Sequence, residues 1–204
     1  QTGLQQGEID RYYNEKMRAI YLPANVLQNN GMQDHFSEIV KHQQKKYIVE
    51  QLQKFDEHIT GVELLADGIY LGYDNMQELM PLSMAGEGIR HFLSIILAAA
   101  SGGYKVVLID EIDNGLHYSA YPLLWKCLFG LAQKQGVQLF ITTHSKEVLA
   151  RLVEMLDENV EYSDLLSAYT IENTKMKGHQ AYRYPYEALK NALNNDMEVR
   201  GLSL

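Results

Sequence analysis

The 204-residue sequence contains one cysteine, four prolines and one tryptophan, and it has no long apolar run. A membrane-spanning helix needs roughly 18 uninterrupted apolar residues, and the first twenty residues here are too polar for a signal peptide. The single thiol, Cys127, can form no intramolecular disulfide and lies among leucines, which is typical of a core cysteine in a reducing compartment. We therefore expect a cytoplasmic chain that is neither inserted into a membrane nor exported.

Basic residues are also scarce, since 18 Lys and Arg stand against 26 Asp and Glu and give a formal net charge of −8. The surface as a whole is unsuited to phosphate backbones, so DNA binding would require a local basic patch. The sequence has one such cluster, formed by Lys41, Lys45 and Lys46. Two interpretations stay open for it: a solvated helix face, or a contact to nucleic acid or a protein partner.

With 46% hydrophobic residues, the chain has enough apolar material for one domain, or for one domain with an appendage. Before Pro81, the pattern of apolar and polar residues predicts a strand at residues 19–22 and an amphipathic helix of about five turns at residues 36–55. A hairpin over residues 62–71 is predicted to turn at Asp67-Gly68.

After Pro81 the pattern changes to alternating helices and strands. Helices are predicted at residues 89–100, 116–131 and 147–155, with strands at residues 106–109 and 137–142 between them. The first of these strands is apolar at every position, so we expect it to be covered on both faces. This order predicts an α/β fold with a parallel sheet flanked by helices. A β-ribbon (residues 167–172 and 180–184, turning near 175–178) and a helix at 186–193 follow.

Three regions are predicted from these patterns. They are a partial N-terminal lobe or helical insertion at residues 1–81, a central lobe at 82–160, and the ribbon with its helix at 161–204. The sequence starts at Gln1 in a polar stretch and without an initiator methionine, so we expect a fragment of a longer protein.

Polar residues follow the two predicted parallel strands at the points where they end, and such ends carry the ligand sites of open parallel sheets. Asp110 and Glu111 follow the first strand, and Thr142-Thr143-His144 follow the second. One carboxylate can hold Mg²⁺ while the other orients or deprotonates a water. The histidine can donate a hydrogen bond to a phosphoryl group or to that water.

A glycine-containing loop precedes the helix predicted at residues 89–100. Ser83 supplies a hydroxyl, Gly86 and Gly88 allow close backbone approach, and the helix N-terminus adds partial positive charge. These features predict a phosphate cradle. The alternative is a plain helix cap by Ser83 with permissive glycines.

These motifs together resemble the C-terminal lobe of ABC-type ATPases. They read Leu-Ser-x-x-Gly-Glu-Gly-Ile-Arg from Leu82, Asp-Glu-x-x-Asn-Gly-Leu-His from Asp110, and Thr-Thr-His-Ser from Thr142. The likeness is greatest to stand-alone ATPases related to the overcoming-lysogenisation-defect and abortive-infection proteins. It runs from about Leu82 to Lys146, and more weakly to Arg200. The resemblance implies a P-loop NTPase-like head that uses ATP and Mg²⁺.

The resemblance also implies roles for individual residues. Residues 83–88 would be the signature loop, with Ser83, Gly86, Glu87 and Gly88 at the nucleotide. Asp110 would bind the metal, while Glu111 and His144 would be the catalytic glutamate and the switch histidine. The D-loop, residues 113–117, would contact the other subunit through Asp113, Asn114, Gly115 and His117. The sequence departs from the motifs usual in ABC transporters at two places. It has one extra residue between Ser83 and Gly86, and it has His117 where aspartate is usual.

The family's phosphate-binding loop, Gly-x-x-x-x-Gly-Lys-Ser/Thr, does not occur in this sequence. We expect this chain alone not to hydrolyse ATP, because the β- and γ-phosphates have no cradle. Either the loop lies in a missing N-terminal stretch or another chain, or this family member has lost nucleotide binding.

Two function classes follow. One is an ATPase whose two copies, or two different subunits, close head to tail around nucleotide in DNA processing or phage defence. The other is a non-hydrolysing module that regulates a toxin, nuclease or DNA-bound partner. No hydrolase Gly-x-Ser-x-Gly elbow, zinc set or Toprim-like acidic cluster is present, and His35 and His42 are expected to be surface histidines.

Overall fold

The computed structural model describes residues 18–24, 31–174 and 178–199. Its strands are β1 (Ala19–Leu22), β2 (Ile59–Leu65), β3 (Gly68–Tyr73), β4 (Met80–Pro81), β5 (Val106–Ile109), β6 (Gln138–Ile141), β7 (Ala168–Thr174) and β8 (Gly178–Tyr184). Its helices are α1 (Met32–Lys41), α2 (Lys45–Phe55), α3 (Glu87–Ala100), α4 (Tyr121–Gln135), α5 (Lys146–Glu158) and α6 (Tyr186–Asn194). Residues 175–177 of the turn predicted near 175–178, and Arg200, lie outside the described residues.

The central sheet joins β1, β5 and β6 in parallel, in that spatial order. Helix α4 connects β5 to β6, beginning with Pro122 in its first turn and ending at Gly136 in the left-handed conformation. The predicted parallel sheet with flanking helices is confirmed. Because β1 comes from the N-terminal segment, residues on both sides of the division predicted at residue 81 share one sheet. The three-region division itself stays a prediction.

Only one face of this sheet is covered in the part of the chain that the structure describes. Val107 and Ile109 are buried in the core with α3 and α4. On the opposite face Tyr21, Leu108 and Phe140 are 57%, 37% and 50% exposed, and they lie side by side in register across the three strands. The prediction that β5 is covered on both faces is therefore wrong for these residues. An apolar run predicts a strand, but it does not by itself show that both faces of the strand are covered.

The second sheet is antiparallel, in the order β2-β3-β4, and its first two strands form the predicted hairpin at Asp67-Gly68. This sheet leads directly to the glycine-containing loop. Pro81 ends β4, and a short 3-10 turn at Leu82–Met84 follows before α3 begins. Leu82 and Ala85 are buried and anchor the loop on the core.

The single helix predicted at residues 36–55 is wrong, because the chain forms α1 and α2 with a break between them. Gln43 adopts a left-handed conformation with φ of 58°, which an α-helix cannot continue through. The prediction that His35 is a surface histidine is also wrong. Its side chain is buried and its Nε2 lies 3.2 Å from the hydroxyl of Tyr104, whereas His42 is exposed.

The basic cluster is paired locally with carboxylates. Lys41 contacts Glu38 at 2.6 Å, Lys45 contacts Glu63 at 2.5 Å and Lys46 lies 3.9 Å from Glu50. These ion pairs favour the solvated helix face over a nucleic-acid contact.

The C-terminal ribbon and helix form as predicted, with β7 antiparallel to β8 and α6 following. Thr170 donates a hydrogen bond to the carbonyl of Val199, and Asp157 on α5 accepts from Lys190 and Tyr186 on α6. The first bond ties the chain after α6 to β7, and the contacts of Asp157 hold α6 against α5. No helix within residues 18–24, 31–174 and 178–199 has the length and apolar character needed to span a membrane.

Candidate functional site

The ends of β5 and β6 bring the acidic pair and the histidine-containing segment together. The strands pair in parallel with Ile109 opposite Ile141, so Asp110 and Thr142 emerge at the same level of the sheet. The backbone of Thr142 is bonded to the residues on either side of the acidic pair. Its N–H donates to the Ile109 carbonyl at 2.9 Å, and its own carbonyl accepts from the Ile112 N–H at 3.1 Å.

The carboxylate of Asp110 accepts a hydrogen bond at each oxygen. Thr142 donates to Oδ1 at 2.6 Å, and the Tyr21 hydroxyl donates to Oδ2 at 3.0 Å. The bond from Thr142, then that from Tyr21, and the charge on nearby His144 hold the pKa of Asp110 below its usual value. Asp110 is therefore ionised at neutral pH and partly accessible, as a metal-binding carboxylate must be.

Glu111 has an unusual backbone conformation, with φ of 46° in the left-handed region. A non-glycine residue there costs about 1–3 kcal/mol and persists only where its surroundings fix it. The surroundings do so here: the Glu111 N–H donates to Thr142 Oγ1 at 2.9 Å, and its carbonyl accepts from the Asn114 N–H at 2.9 Å. The residue is exposed, so its carboxylate is accessible to a water or a substrate.

The segment after β6 is fixed by two hydroxyls on either side of His144. Thr143 donates to Asp113 Oδ1 at 2.6 Å, and its Oγ1 accepts from the Ser145 N–H at 3.0 Å. Ser145 caps α5 by accepting a hydrogen bond from the Val148 N–H at 3.3 Å. His144 is exposed between them, close enough for its charge to lower the pKa of Asp110.

In the loop at residues 83–88, Ser83 and Gly86 are exposed, whereas Gly88 is half-buried. Gly86, not Ser83, occupies the N-cap position of α3, so the alternative of a plain Ser83 cap is wrong. A Cβ placed on Gly86 would meet nothing within 4 Å, which leaves room for a ligand to approach the backbone. The first N–H groups of a helix lack intrahelical partners and carry partial positive charge, which suits an anion.

The signature loop packs against the D-loop of the same chain. A Cβ on Gly115, where φ is 70°, would lie 2.6 Å from Glu87 Cγ, and a Cβ on Gly88 would lie 3.0 Å from the Gly115 carbonyl oxygen. Other D-loop side chains have partners nearby. Asp113 accepts from Thr143, Asn114 donates to the Ala24 carbonyl at 2.6 Å, and His117 Nδ1 lies 2.9 Å from the Ser119 hydroxyl.

Sequence reasoning missed three residues of this region. The sequence indicates Thr142 only as part of the segment that contains His144, and it gives no sign of the role of Tyr21 because local sequence does not show that β1 pairs with β5. His91, on α3, is buried, and burial lowers its pKa, although the backbone of Ile112 and the charges of Glu87 and Asp113 act in the opposite direction.

The donor set suits Mg²⁺ bound together with a nucleotide. The described residues contain no group of three or more His, Cys, Asp or Glu side chains able to hold a metal by themselves. Mg²⁺ is commonly held by one or two carboxylates plus substrate phosphates, with waters completing its shell. An ionised, accessible Asp110 at a strand end fits that pattern.

Comparison with protein families adds an independent finding. The profile of the family described as "AAA domain, putative AbiEii toxin, Type IV TA system" matches residues 6–150, which include β1, the signature loop and both strand ends.

The chain is also similar to curated proteins and, in fold, to a solved structure. The chain is 30% identical over 152 residues to an ATP/GTP phosphatase of Helicobacter pylori, covering 72% of this chain and 40% of that protein. It is 27% identical over 139 residues to UvrABC system protein A of Mycobacterium bovis, covering 64% of this chain and 14% of that protein. A structure from work on ATP-driven dimerization and DNA-stimulated activation of SMC ATPases superimposes with a TM-score of 0.53 at 10% identity, over 82% of this chain and 96% of the other.

Proposed function

Since the chain belongs to this AAA-domain family, we propose that it is the C-terminal part of an ABC-type ATPase that binds ATP with Mg²⁺ and hydrolyses it. The observation that carries the proposal is the arrangement at the ends of β5 and β6. There an ionised Asp110 and an exposed Glu111 are joined through Thr142, next to His144. The likeness to an ATP/GTP phosphatase supports the same reaction.

Each residue then has a task in the hydrolysis of the terminal phosphate. Asp110 would hold the Mg²⁺, which when bound neutralises charge on the β- and γ-phosphates. Glu111 orients the attacking water and accepts its proton, and His144 donates a hydrogen bond toward the γ-phosphate. Ser83 and the open N–H groups at the start of α3 stabilise the negative charge of the γ-phosphate.

The signature loop is proposed to act on the nucleotide of a second subunit, so that two heads close head to tail and hydrolysis opens them. The SMC ATPases, whose fold this chain shares, are described as dimerizing under ATP. In this arrangement the D-loop would contact the partner through Asp113, Asn114, Gly115 and His117. The contact between Glu87 and Gly115 gives a route by which one site could affect the other.

The phosphate-binding loop is proposed to come from polypeptide outside this sequence. The chain spans only 40% of the Helicobacter pylori phosphatase that it matches. The uncovered sheet face formed by Tyr21, Leu108 and Phe140 offers a docking surface for such a segment. The output of the cycle is proposed to be control of a toxin, nuclease or DNA partner in the cytoplasm, because the family description names a toxin–antitoxin system.

The test is ATP turnover in the whole protein. Glu111→Gln should lower hydrolysis on the order of a hundredfold or more while ATP binding remains, because the water loses its base and the fold is kept. Ser83→Arg should also abolish turnover with ATP affinity of the monomer nearly intact, since Ser83 would act on the partner's nucleotide. Undiminished turnover of Glu111→Gln would remove Glu111 from the mechanism. ATP binding without hydrolysis in the wild type would instead favour the regulatory module.

A further inference from the structure

The hydroxyl of Thr142 lies between the two acidic residues, and the proposed mechanism gives it no task. It donates to Asp110 Oδ1 at 2.6 Å and accepts from the Glu111 N–H at 2.9 Å. A hydroxyl can do both at once, because it has one hydrogen to donate and lone pairs to accept. Valine has the same shape and can do neither.

The second of these bonds supports a backbone conformation that Glu111 does not favour. With φ of 46°, Glu111 is one of three non-glycine residues with positive φ in the described part of the chain. Such a conformation persists only where neighbouring groups over-determine it. The Glu111 carbonyl accepts from the Asn114 N–H, and the Glu111 N–H lies against both the Thr142 hydroxyl and the Asp110 carboxylate, whose direction Thr142 itself fixes.

The first bond fixes the direction of the Asp110 carboxylate. Tyr21 holds the other oxygen at 3.0 Å, but Tyr21 does not contact the Glu111 backbone by any hydrogen bond found among the described residues. Tyr21 thus provides a comparison: it shares one function of Thr142 and lacks the other. The backbone of Thr142 is tied separately to Ile109 and Ile112, so replacing its side chain leaves those two bonds in place.

We infer that Thr142 is a positioning residue. Its single hydroxyl fixes both the direction of the Asp110 carboxylate and the backbone conformation of Glu111, so that metal binding and water activation depend on the same side chain. This inference rests on the ATPase function proposed above. It assigns Thr142 no contact with substrate.

The first test compares crystal structures of the whole protein without nucleotide, and it does not depend on activity. In Thr142→Val, Glu111 should leave the positive-φ region and the Asp110 carboxylate should turn, whereas Thr142→Ser should keep both as in the wild type. If Glu111 and Asp110 are unchanged in Thr142→Val, the inference is overturned. Should Thr142→Val fail to fold, Thr142→Ala makes the same test, since Thr142 is exposed and the smaller side chain causes no clash.

The second test compares steady-state ATP hydrolysis over a range of Mg²⁺ concentrations. Thr142→Val should lower kcat by roughly ten- to a hundredfold and also raise the Mg²⁺ concentration for half-maximal rate. Tyr21→Phe should raise the Mg²⁺ requirement with a much smaller change in kcat. Thr142→Ser should restore both to within about threefold. Thr60→Val, the same exchange at an exposed position of β2, is the control.

The two proposals fail in different ways. If the wild type does not hydrolyse ATP, or Glu111→Gln hydrolyses as fast as the wild type, the ATPase proposal fails, and the crystallographic comparison still decides the role of Thr142. If Glu111→Gln is inactive but Thr142→Val matches the wild type, the role of Thr142 is refuted and the ATPase stands. Equal losses in Thr142→Val and Thr142→Ser would also refute it, because the hydroxyl would then not be the group that matters.

Discussion

The contact between the signature loop and the D-loop can be tested by adding one methyl group at Gly115. Gly115 has φ of 70°, and a Cβ there would lie 2.6 Å from Glu87 Cγ and 3.0 Å from Cδ. Gly115→Ala therefore has two costs: an unfavourable backbone conformation for alanine, and displacement of the Glu87 side chain. The two can be separated, because the chain offers a second glycine with the same backbone and open surroundings.

That control is Gly136, which ends α4 with φ of 63° and where a Cβ would meet nothing within 4 Å. Alanine in the left-handed region costs about 1 kcal/mol, so Gly136→Ala should lower the free energy of unfolding by about that amount. Forcing Glu87 out of its rotamer adds about 0.5–1.5 kcal/mol. Gly115→Ala should therefore cost about 1.5–2.5 kcal/mol. For a chain of this length each 1 kcal/mol corresponds to about 2–4 °C in Tm.

The assay is urea denaturation followed by circular dichroism. Glu87→Ala is made in the wild type and in Gly115→Ala, which completes a double-mutant cycle. In the Glu87→Ala background, Gly115→Ala should cost only about 1 kcal/mol, because the clash is gone and the backbone term remains. The reasoning is refuted if Gly115→Ala costs no more than Gly136→Ala and Glu87→Ala does not relieve it. The signature loop and the D-loop would then not pack as described.

Two further predictions concern stability. Burial lowers the pKa of His91 below its usual 6.5, so below that pH the unfolded chain binds a proton that the folded chain does not. The free energy of unfolding should fall as the pH drops below 6.5, and His91→Leu should flatten this slope; an unchanged slope would contradict the buried neutral histidine. On β5, Ile109→Ala should cost about 2–5 kcal/mol, whereas Leu108→Ala should cost about 1 kcal/mol or less. Equal losses by urea denaturation would mean that the outer sheet face is covered.

The parallel sheet and the meeting of Asp110 with the Thr142–His144 segment could be predicted because both are local signals. An apolar run predicts a strand, alternation with helices predicts parallel pairing, and polar residues after each run then lie at one edge. The glycines at residues 86 and 88 likewise lie close to the helix that they were expected to precede, since α3 begins at Glu87. In each case the information lies within a few residues of the feature it predicts.

The errors come from features set by distant residues. Nothing in the sequence near Gln43 marks the break between α1 and α2, since neither glycine nor proline occurs there. His35 is polar and was expected at the surface, but it is buried against the hydroxyl of Tyr104, 69 residues away in the sequence. Tyr21 reaches Asp110 only because β1 pairs with β5, and pairing partners are a tertiary property.

The most direct measurement of the central claim is a crystal structure of the whole protein carrying Glu111→Gln, grown with ATP and Mg²⁺. We expect an oxygen of Asp110 to bind the metal directly or through one water, with the γ-phosphate near His144 and residue 111. A second subunit should place its Ser83 on the same nucleotide. A nucleotide bound elsewhere, with Asp110 and His144 facing empty solvent, would contradict the assignment of the strand ends as the catalytic site.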